Sequence, residues 1–475
     1  MSRQPPVSDI LPSWADVLRR ALTGHGPFVA LGAVGLWLRV AGLGRLALAP
    51  DEAAQAWAAW TLTSATPSPG LPAATSALLF GLQHGLFVLL GAGDALARTV
   101  PALAGAASLA VPWIARDILG RPVALSLAAL LAFDPLSIAY ARTGTGDVLT
   151  GTALWVALAG GLAMRAGRLR TGATVLLAAA VVGLASGPLA WRALPAWVWA
   201  VHAAWTGLGS GRARTLATVV AVTVAAATTL GTQLTGPSLV VASLRDALDT
   251  GREAAGLPWA AFAVGVLRDE VAPLTLALGG LLTLGVSGTR AALAWLAWVA
   301  VLSLSPGRDG GLWLLAAPAV LLLAAQTAAS IVAPPDAPGP ARPAVAAAVS
   351  AVAALLLAAV HVHHGTGVRQ APLDARPVVA PVHTEASVRP LAQAVADRVR
   401  TSGGRALDVM TADGRPDPVL AWYLRDVPGV RWRTATSASP PSVSLVMRPG
   451  TGGRVTAGVF PVRHGNDGLV EAVLR

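Results

Sequence analysis

The chain has 475 residues, of which 54% are hydrophobic and only 12% charged, where soluble proteins carry about 25% charged residues. That balance excludes an ordinary soluble enzyme. Its 35 basic residues are all Arg, and together with 24 acids they leave a formal charge of +11 without a single Cys or Lys. Lysine Schiff-base chemistry, a Walker lysine, thiol nucleophiles, disulfides and thiolate metal sites are therefore excluded. The positive charge does not point to nucleic acid, because much of the Arg falls in short loops between apolar runs, as membrane topology requires.

In chain order, residues 1–26 read as a polar cytoplasmic segment. The stretch 27–362 reads as an all-α, polytopic transmembrane domain, because apolar runs near the ~20 residues that a bilayer demands recur along it. The first expected span is Pro27 to Leu46. Ten more follow, near Thr99 to Ala115, Val123 to Ala139, Val148 to Ala163, Thr171 to Gly187, Ala190 to Trp205, Leu216 to Gly231, Val271 to Ser287, Ala291 to Leu304, Leu312 to Val332 and Ala344 to Val360. That makes about eleven spans. The apolar stretches Thr75 to Gly91 and Leu257 to Leu267 are short or interrupted, and are expected as helices lying in the interface. The Gly160-Gly161 and Gly279-Gly280 pairs would permit close helix approach.

One set of loops carries Arg116, Arg121, Arg165, Arg168, Arg170, Arg212, Arg214, Arg290 and Arg342 and few acids, so it should be cytoplasmic together with the N-terminus. The other side holds longer segments, including a first outer loop 47–98, and gathers Asp51, Glu52, Asp94, Asp147, Asp246, Asp249, Glu253, Asp269, Glu270 and Asp309. Residues 365–475 turn polar. A helix-like Val388 to Val399, a strand-like Ala406 to Thr411, a helix-like Pro418 to Arg425 and strand-like Val430 to Arg433, Ser442 to Met447 and Val459 to Val462 predict a small extracytoplasmic α/β domain.

The strongest local chemistry is Asp51-Glu52, two adjacent carboxylates opening a helix after the first span. A helix N-terminus favours negative charge. Asp51 there can act as general base toward a hydroxyl, or the pair can ligate a divalent ion, Mg or Mn, the one cofactor these residues suggest. The competing reading makes Asp51 a helix cap and Glu52 a first-turn acid. Arg39 falls inside the first span, where a charge marks a function or a partner. His84 could touch a lipid phosphate from the interfacial helix. Trp57 and Trp60 lie one turn apart and could stack on a sugar. Trp191, Trp197, Trp199 and Trp205 fit an aromatic belt, and His361, His363 and His364 sit just past the last expected span, without a second ligand group at recognisable spacing.

The runs Leu96-Ala97-Arg98-Thr99-Val100-Pro101, Ala115-Arg116-Asp117-Ile118-Leu119-Gly120-Arg121 and Asp134-Pro135-Leu136-Ser137-Ile138-Ala139-Tyr140-Ala141-Arg142, with Asp147, resemble the integral-membrane glycosyltransferases of the GT-C class. Within that class they look most like family 39, the protein-mannosyltransferase-like group, in its flippase-activity-associated branch. The resemblance extends more weakly to Pro258-Trp259, Gly307 to Leu314, Ala421-Trp422-Tyr423-Leu424-Arg425 and Val462 to Gly465. It implies a GT-C fold in the bacterial inner membrane, and inverting transfer of a sugar from a polyprenyl-phosphate carrier to a protein or lipid hydroxyl at the outer face. It further implies catalytic Asp51, Glu52 and Asp147. Phosphate chemistry adds the outer-face arginines Arg142, Arg192, Arg268 and Arg308 as candidates, because the planar fork binds two oxygens, and of these Arg142 and Arg308 are expected to hold the phosphate. The chain departs from the pattern at Ala49-Pro50, in the thin second loop Thr143-Gly144-Thr145-Gly146, and at Gly307-Arg308-Asp309. Those departures suit an alternative, a non-catalytic carrier binder or translocation-associated protein of the same fold.

Overall fold

The structure, a computed structural model, describes residues 24–62, 76–231, 236–250, 258–283, 286–304, 310–332, 344–367, 388–401, 407–411, 416–434, 444–449, 459–463 and 469–474. The helices are α1 Gly26–Val40, α2 Pro50–Thr61, α3 Ala77–Leu90, α4 Asp94–Ala107, α5 Ala110–Ile114, α6 Arg116–Leu119, α7 Arg121–Phe133, α8 Pro135–Ala141, α9 Asp147–Arg165 and α10 Leu169–Leu184. They continue with α11 Pro188–Arg192, α12 Leu194–Leu208, α13 Arg212–Ala227, α14 Gly236–Thr250, α15 Trp259–Asp269, α16 Val271–Thr283, α17 Val286–Ser303, α18 Leu312–Val332 and α19 Ala344–Gly367.

Each of the eleven expected spans contains a helix. Among the described residues three helices are long and apolar enough to cross a bilayer: Asp94–Ile114, which joins α4 to α5, then Asp147–Arg165 and Leu312–Ile331. The expected span Val123 to Ala139 is instead α7 and α8, bent by 55°. The bend has a local cause. Asp134 Oδ2 caps α8 by accepting from the Ser137 N–H at 3.0 Å, and Pro135 begins the new helix with its fixed φ. Trp313 Nε1 donates to Asp134 at 3.1 Å, and the Leu136 N–H donates to Glu270 at 2.9 Å, so α18 and the α15–α16 junction brace the break. Several remaining apolar helices, α1, α3, α10 and the described part of α16 among them, have 10–17 residues.

Close helix crossings use the glycines. The α9 and α10 helices meet where Gly160 faces the Gly172 carbonyl, and Gly280 of α16 faces the Leu323 carbonyl of α18. Trp197 is fully buried, its Nε1 donating to the Ala190 carbonyl at 2.8 Å, so it is a core residue and not part of an aromatic belt. Trp199, Trp205, Trp37 and Leu89 are exposed on the outside of the bundle, where hydrocarbon is the fitting solvent.

After α20 (Val388–Thr401) come β1 Leu407–Thr411, α21 Pro418–Tyr423, β2 Val430–Thr434, β3 Ser444–Pro449, β4 Val459–Arg463 and β5 Leu469–Leu474. The sheet order is β2-β1-β3-β5-β4. Strand β1 is parallel to both β2 and β3, while β5 is antiparallel to β3 and β4. The expected strands are present, with β5 in addition. One hydrophobic cluster runs from α2 and α3 into α20, β1 and α21, through Trp57, Phe80, Phe87, Leu391, Val395, Val409, Leu420 and Trp422. The C-terminal domain therefore sits on the same face of the bundle as the Asp51 loop.

Candidate active site

Helix α2 starts where Pro50 fixes φ and Glu52, in its first turn, reaches back: Glu52 Oε2 accepts the Ala49 N–H at 2.7 Å. The other bonds of Glu52 run to distant parts of the chain. Arg98 of α4 grips the carboxylate with two nitrogens, Nε to Oε1 at 2.8 Å and Nη2 to Oε2 at 2.5 Å, and the Gly144 N–H donates to Oε1 at 2.5 Å. Both side chains of this ion pair are 1% exposed. Arg98 also donates to the carbonyls of Leu43, Leu46 and Ala47 at 2.7–2.9 Å. Glu52 thus ties the first-loop helix to α4 and to the second loop at once, while Asp51, its neighbour, is exposed.

The thin second loop has a steric reason. Gly144 packs against Glu52, and a Cβ on Gly146 would overlap the Ser186 carbonyl oxygen. Thr143 donates to the Tyr140 carbonyl at 2.7 Å, and Thr145 Oγ1 donates to Asp147 Oδ2 at 3.3 Å. Asp147 opens α9 half-buried, three residues beyond Gly144. Glu52 and Gly144 being bonded, the segments carrying Asp51 and Asp147 are held together at that bond.

The expected phosphate-binding arginines divide. Arg39 is fully buried and donates to the carbonyls of Gly35, Leu131 and Ala132 at 2.9–3.3 Å. It stitches α1 to the end of α7, which removes it from any headgroup contact. Arg142 is also buried and donates to the carbonyls of Leu38 and Ala41 at 2.9 Å, at the C-terminal end of α1, where cations complement the helix dipole. Arg308 lies outside the described residues. His84 is buried, with Nδ1 3.1 Å from the Ala59 carbonyl, so it faces α2 and not lipid. Trp57 is buried 5.0 Å from Trp60, in the cluster that continues into the C-terminal domain. The helix α19 extends past Val360 and takes in all three histidines, with His361 Nε2 2.8 Å from the Leu130 carbonyl.

A divalent ion does not fit the acidic pair. Both Glu52 oxygens are taken by two donors each, one from Arg98 and one from backbone, and its charge is matched by the guanidinium. Among the described residues no three His, Asp or Glu side chains gather to hold a metal ion. Arg98 and Asp94 are not among the catalytic or phosphate-binding residues that the sequence points to, Asp94 reading only as one of the acids on the outer side. Arg98 stands in the Leu96 to Pro101 run that carried the resemblance, and that run was the available signal.

Asp94, at the start of α4, is a second hub. Its Oδ1 accepts from Trp422 Nε1 at 2.8 Å, and its Oδ2 accepts from Tyr423 at 2.7 Å and Arg389 Nη2 at 2.6 Å. Burial, then the Asp94 charge and its hydrogen bond, push the Tyr423 phenol well above its ordinary value, so it stays a donor. Burial pulls Arg389 down, but the hydrogen bond to Asp94 and its charge more than offset this and leave it raised.

The fold as a whole has counterparts among solved structures. The chain is similar in structure to ArnT from Cupriavidus metallidurans. The similarity to ArnT bound to undecaprenyl phosphate has a TM-score of 0.59 at 18% identity, covering 95% of this chain and 98% of that one. For apo ArnT the values are 0.56, 19%, 96% and 98%. At such identities it is the fold that is shared. No family model matches the sequence, and no curated protein does.

Proposed function

We propose that this chain is a membrane glycosyltransferase that moves a sugar from a polyprenyl-phosphate donor to a lipid or protein hydroxyl, at the face carrying Asp51 and the C-terminal domain. One observation carries the reading: Glu52 bonds Arg98 and Gly144 together, which holds an exposed Asp51 and a half-buried Asp147 on adjoining segments. The likeness to ArnT in complex with undecaprenyl phosphate supports the donor class. In the proposed reaction Asp51 accepts the proton of the acceptor hydroxyl, whose oxygen attacks the anomeric carbon. The carbon–oxygen bond to phosphate breaks, and polyprenyl phosphate leaves with the electron pair. Asp147 orients the acceptor. Glu52 is a positioning residue, since its oxygens are engaged. Arg308 is the candidate for the departing phosphate, and Arg142, two residues before Gly144, adds fixed positive charge beside the second loop.

The finer assignment, to the inverting, mannosyltransferase-like family 39, rests on the resemblance carried by the Leu96 to Pro101, Ala115 to Arg121 and Asp134 to Arg142 runs with Asp147. On the same reading the face with Arg116, Arg121, Arg165 and Arg212 is cytoplasmic, and the C-terminal domain is extracytoplasmic in a bacterial inner membrane. The non-catalytic alternative draws on the departures at Ala49, Gly144 to Gly146 and Arg308-Asp309, and on Glu52 being held in an ion pair.

The test is transfer from a polyprenyl-phosphate sugar by the full chain in proteoliposomes. Asp51→Asn should lower the rate about 10²- to 10⁴-fold with the protein still folded. Full activity in that variant removes Asp51 from the mechanism. Donor binding by the wild type without any transfer favours the carrier binder.

A further inference from the structure

We propose that the C-terminal domain is a working part of this site: Arg389 and Tyr423, anchored on Asp94, position the 43–49 loop and with it Asp51. The inference rests on the glycosyltransferase reading above. It begins with the loop's backbone. The carbonyls of residues 43 to 47 all receive guanidinium donors, from Arg98 at Leu43, Leu46 and Ala47 and from Arg389 at Gly44 (2.7 Å), Arg45 (3.1 Å) and Leu46 (2.9 Å). The next two amides are held as well. Leu48 N–H donates to the Tyr423 hydroxyl at 3.0 Å, and Ala49 N–H to Glu52.

The loop is therefore gripped from two sides. Arg98 and Glu52 belong to the membrane domain, while Arg389 of α20 and Tyr423 of α21 belong to a domain that enters the chain some 340 residues later. Asp94 fixes both outer donors by accepting from Arg389 and Tyr423 on one oxygen and from Trp422 on the other. Trp422 is fully buried, with Phe87 5.7 Å away on one side and the Arg425 guanidinium 4.2 Å from its ring, while Arg425 donates to the Ala92 carbonyl at 3.1 Å. Such a dock cannot slide without breaking several charge-assisted bonds.

The position of Leu48 gives the arrangement its consequence. It lies three residues before Asp51, and Pro50 fixes the intervening turn. A loosened Leu48 amide would let the first turn of α2 wander, and a general base displaced by about 1 Å can lose about 10²-fold in rate. The Ala421-Trp422-Tyr423-Leu424-Arg425 run, which carried only a weak resemblance in the sequence, acquires a role here. Its aromatic pair and Arg425 are the contact.

The experiment uses the full chain in nanodiscs, with two readouts on each variant: amide hydrogen exchange of the 43–52 peptide, and kcat and KM for a polyprenyl-phosphate sugar. Tyr423→Phe removes one donor to Asp94 and the Leu48 acceptor. Arg389→Lys keeps the charge but cannot fork to three carbonyls. Both should raise exchange of the peptide about tenfold and lower kcat while KM moves less than twofold, with Arg389→Lys failing to restore what Arg389→Gln loses. The exposed pair Arg400–Asp397 supplies the control, Asp397→Ala, which should change neither readout. Exchange unchanged in Tyr423→Phe and Arg389→Gln overturns the proposal. So does raised exchange with kcat within twofold of wild type. If the wild type transfers no sugar, the proposed function fails, and the exchange data alone decide whether the C-terminal domain holds the loop.

Discussion

Replacing Glu52 by Gln isolates the joint on which the site is built. The carboxylate accepts four donors, an Arg98 nitrogen and a backbone N–H on each oxygen. A glutamine offers one oxygen, so whichever way its amide turns, its NH₂ group meets one guanidinium N–H and one backbone N–H. Two buried donors then lose their acceptor, at about 1–3 kcal/mol each. Arg98 keeps the Leu43, Leu46 and Ala47 carbonyls, which satisfy its other N–H groups, but it loses its buried counter-charge. The expected loss is about 3–4 kcal/mol, within the ~3–5 kcal/mol found when one partner of a buried pair is removed. Unfolding by SDS in mixed micelles measures it, with Asp51→Asn as an exposed neighbour expected within about 0.5 kcal/mol of wild type. A Glu52→Gln variant within about 1 kcal/mol of wild type would refute the claim that this ion pair joins the two loops.

Two further outcomes are expected. Arg39→Met should lower stability by about 2–4 kcal/mol, because two carbonyl bonds from α1 to α7 and one within α1 vanish; a raised KM for the donor with unchanged stability would return Arg39 to the binding site. Tyr423, its folded value raised by burial and by Asp94 above the ordinary 10.0, contributes stability that is complete below about pH 10 and lost only as pH rises through the higher folded value. In a Tyr140→Phe background, which leaves Tyr423 the sole tyrosine, absorbance at 295 nm should show no tyrosinate below about pH 10, and ionisation near the ordinary value would deny the Asp94 contact.

Much of the helical framework was legible because bilayer length and Arg placement are written locally in the sequence. Every expected span holds a helix, and Leu312 to Val332 is matched at both ends. The interruption at Asp134-Pro135 carries a cap-and-proline signal, yet hydropathy runs through it and yields one span where two helices meet at 55°. Helix α14 was missed because a polar, acid-bearing stretch of 15 residues between spans reads as loop. Strand β5 was missed because Leu469 to Leu474 becomes a strand by pairing between β3 and β4, and that pairing is long-range.

In the candidate site the sequence offers residue types, and the contacts that separate their roles are long-range. Asp51 and Glu52 are adjacent acids on one helix turn, and the sequence favours Asp51 as the base without showing what Glu52 does. What separates them is Arg98, 46 residues beyond Glu52, which arrives with two nitrogens and takes Glu52 out of the solvent. The arginines show the same rule. In sequence an Arg beside a membrane reads as a topology marker or a phosphate ligand. In the fold Arg39, Arg98, Arg142 and Arg389 all turn to backbone carbonyls, at the ends of α1 and α7 and along the 43–49 loop. The physical reason is the medium. Away from water an unpaired carbonyl costs several kcal/mol, and a planar fork of five N–H groups can serve three of them together where an ammonium is a point charge. Arginine is thus the better residue for irregular backbone at the membrane edge, and the loop that precedes Asp51 can be both irregular and fixed because two arginines hold it.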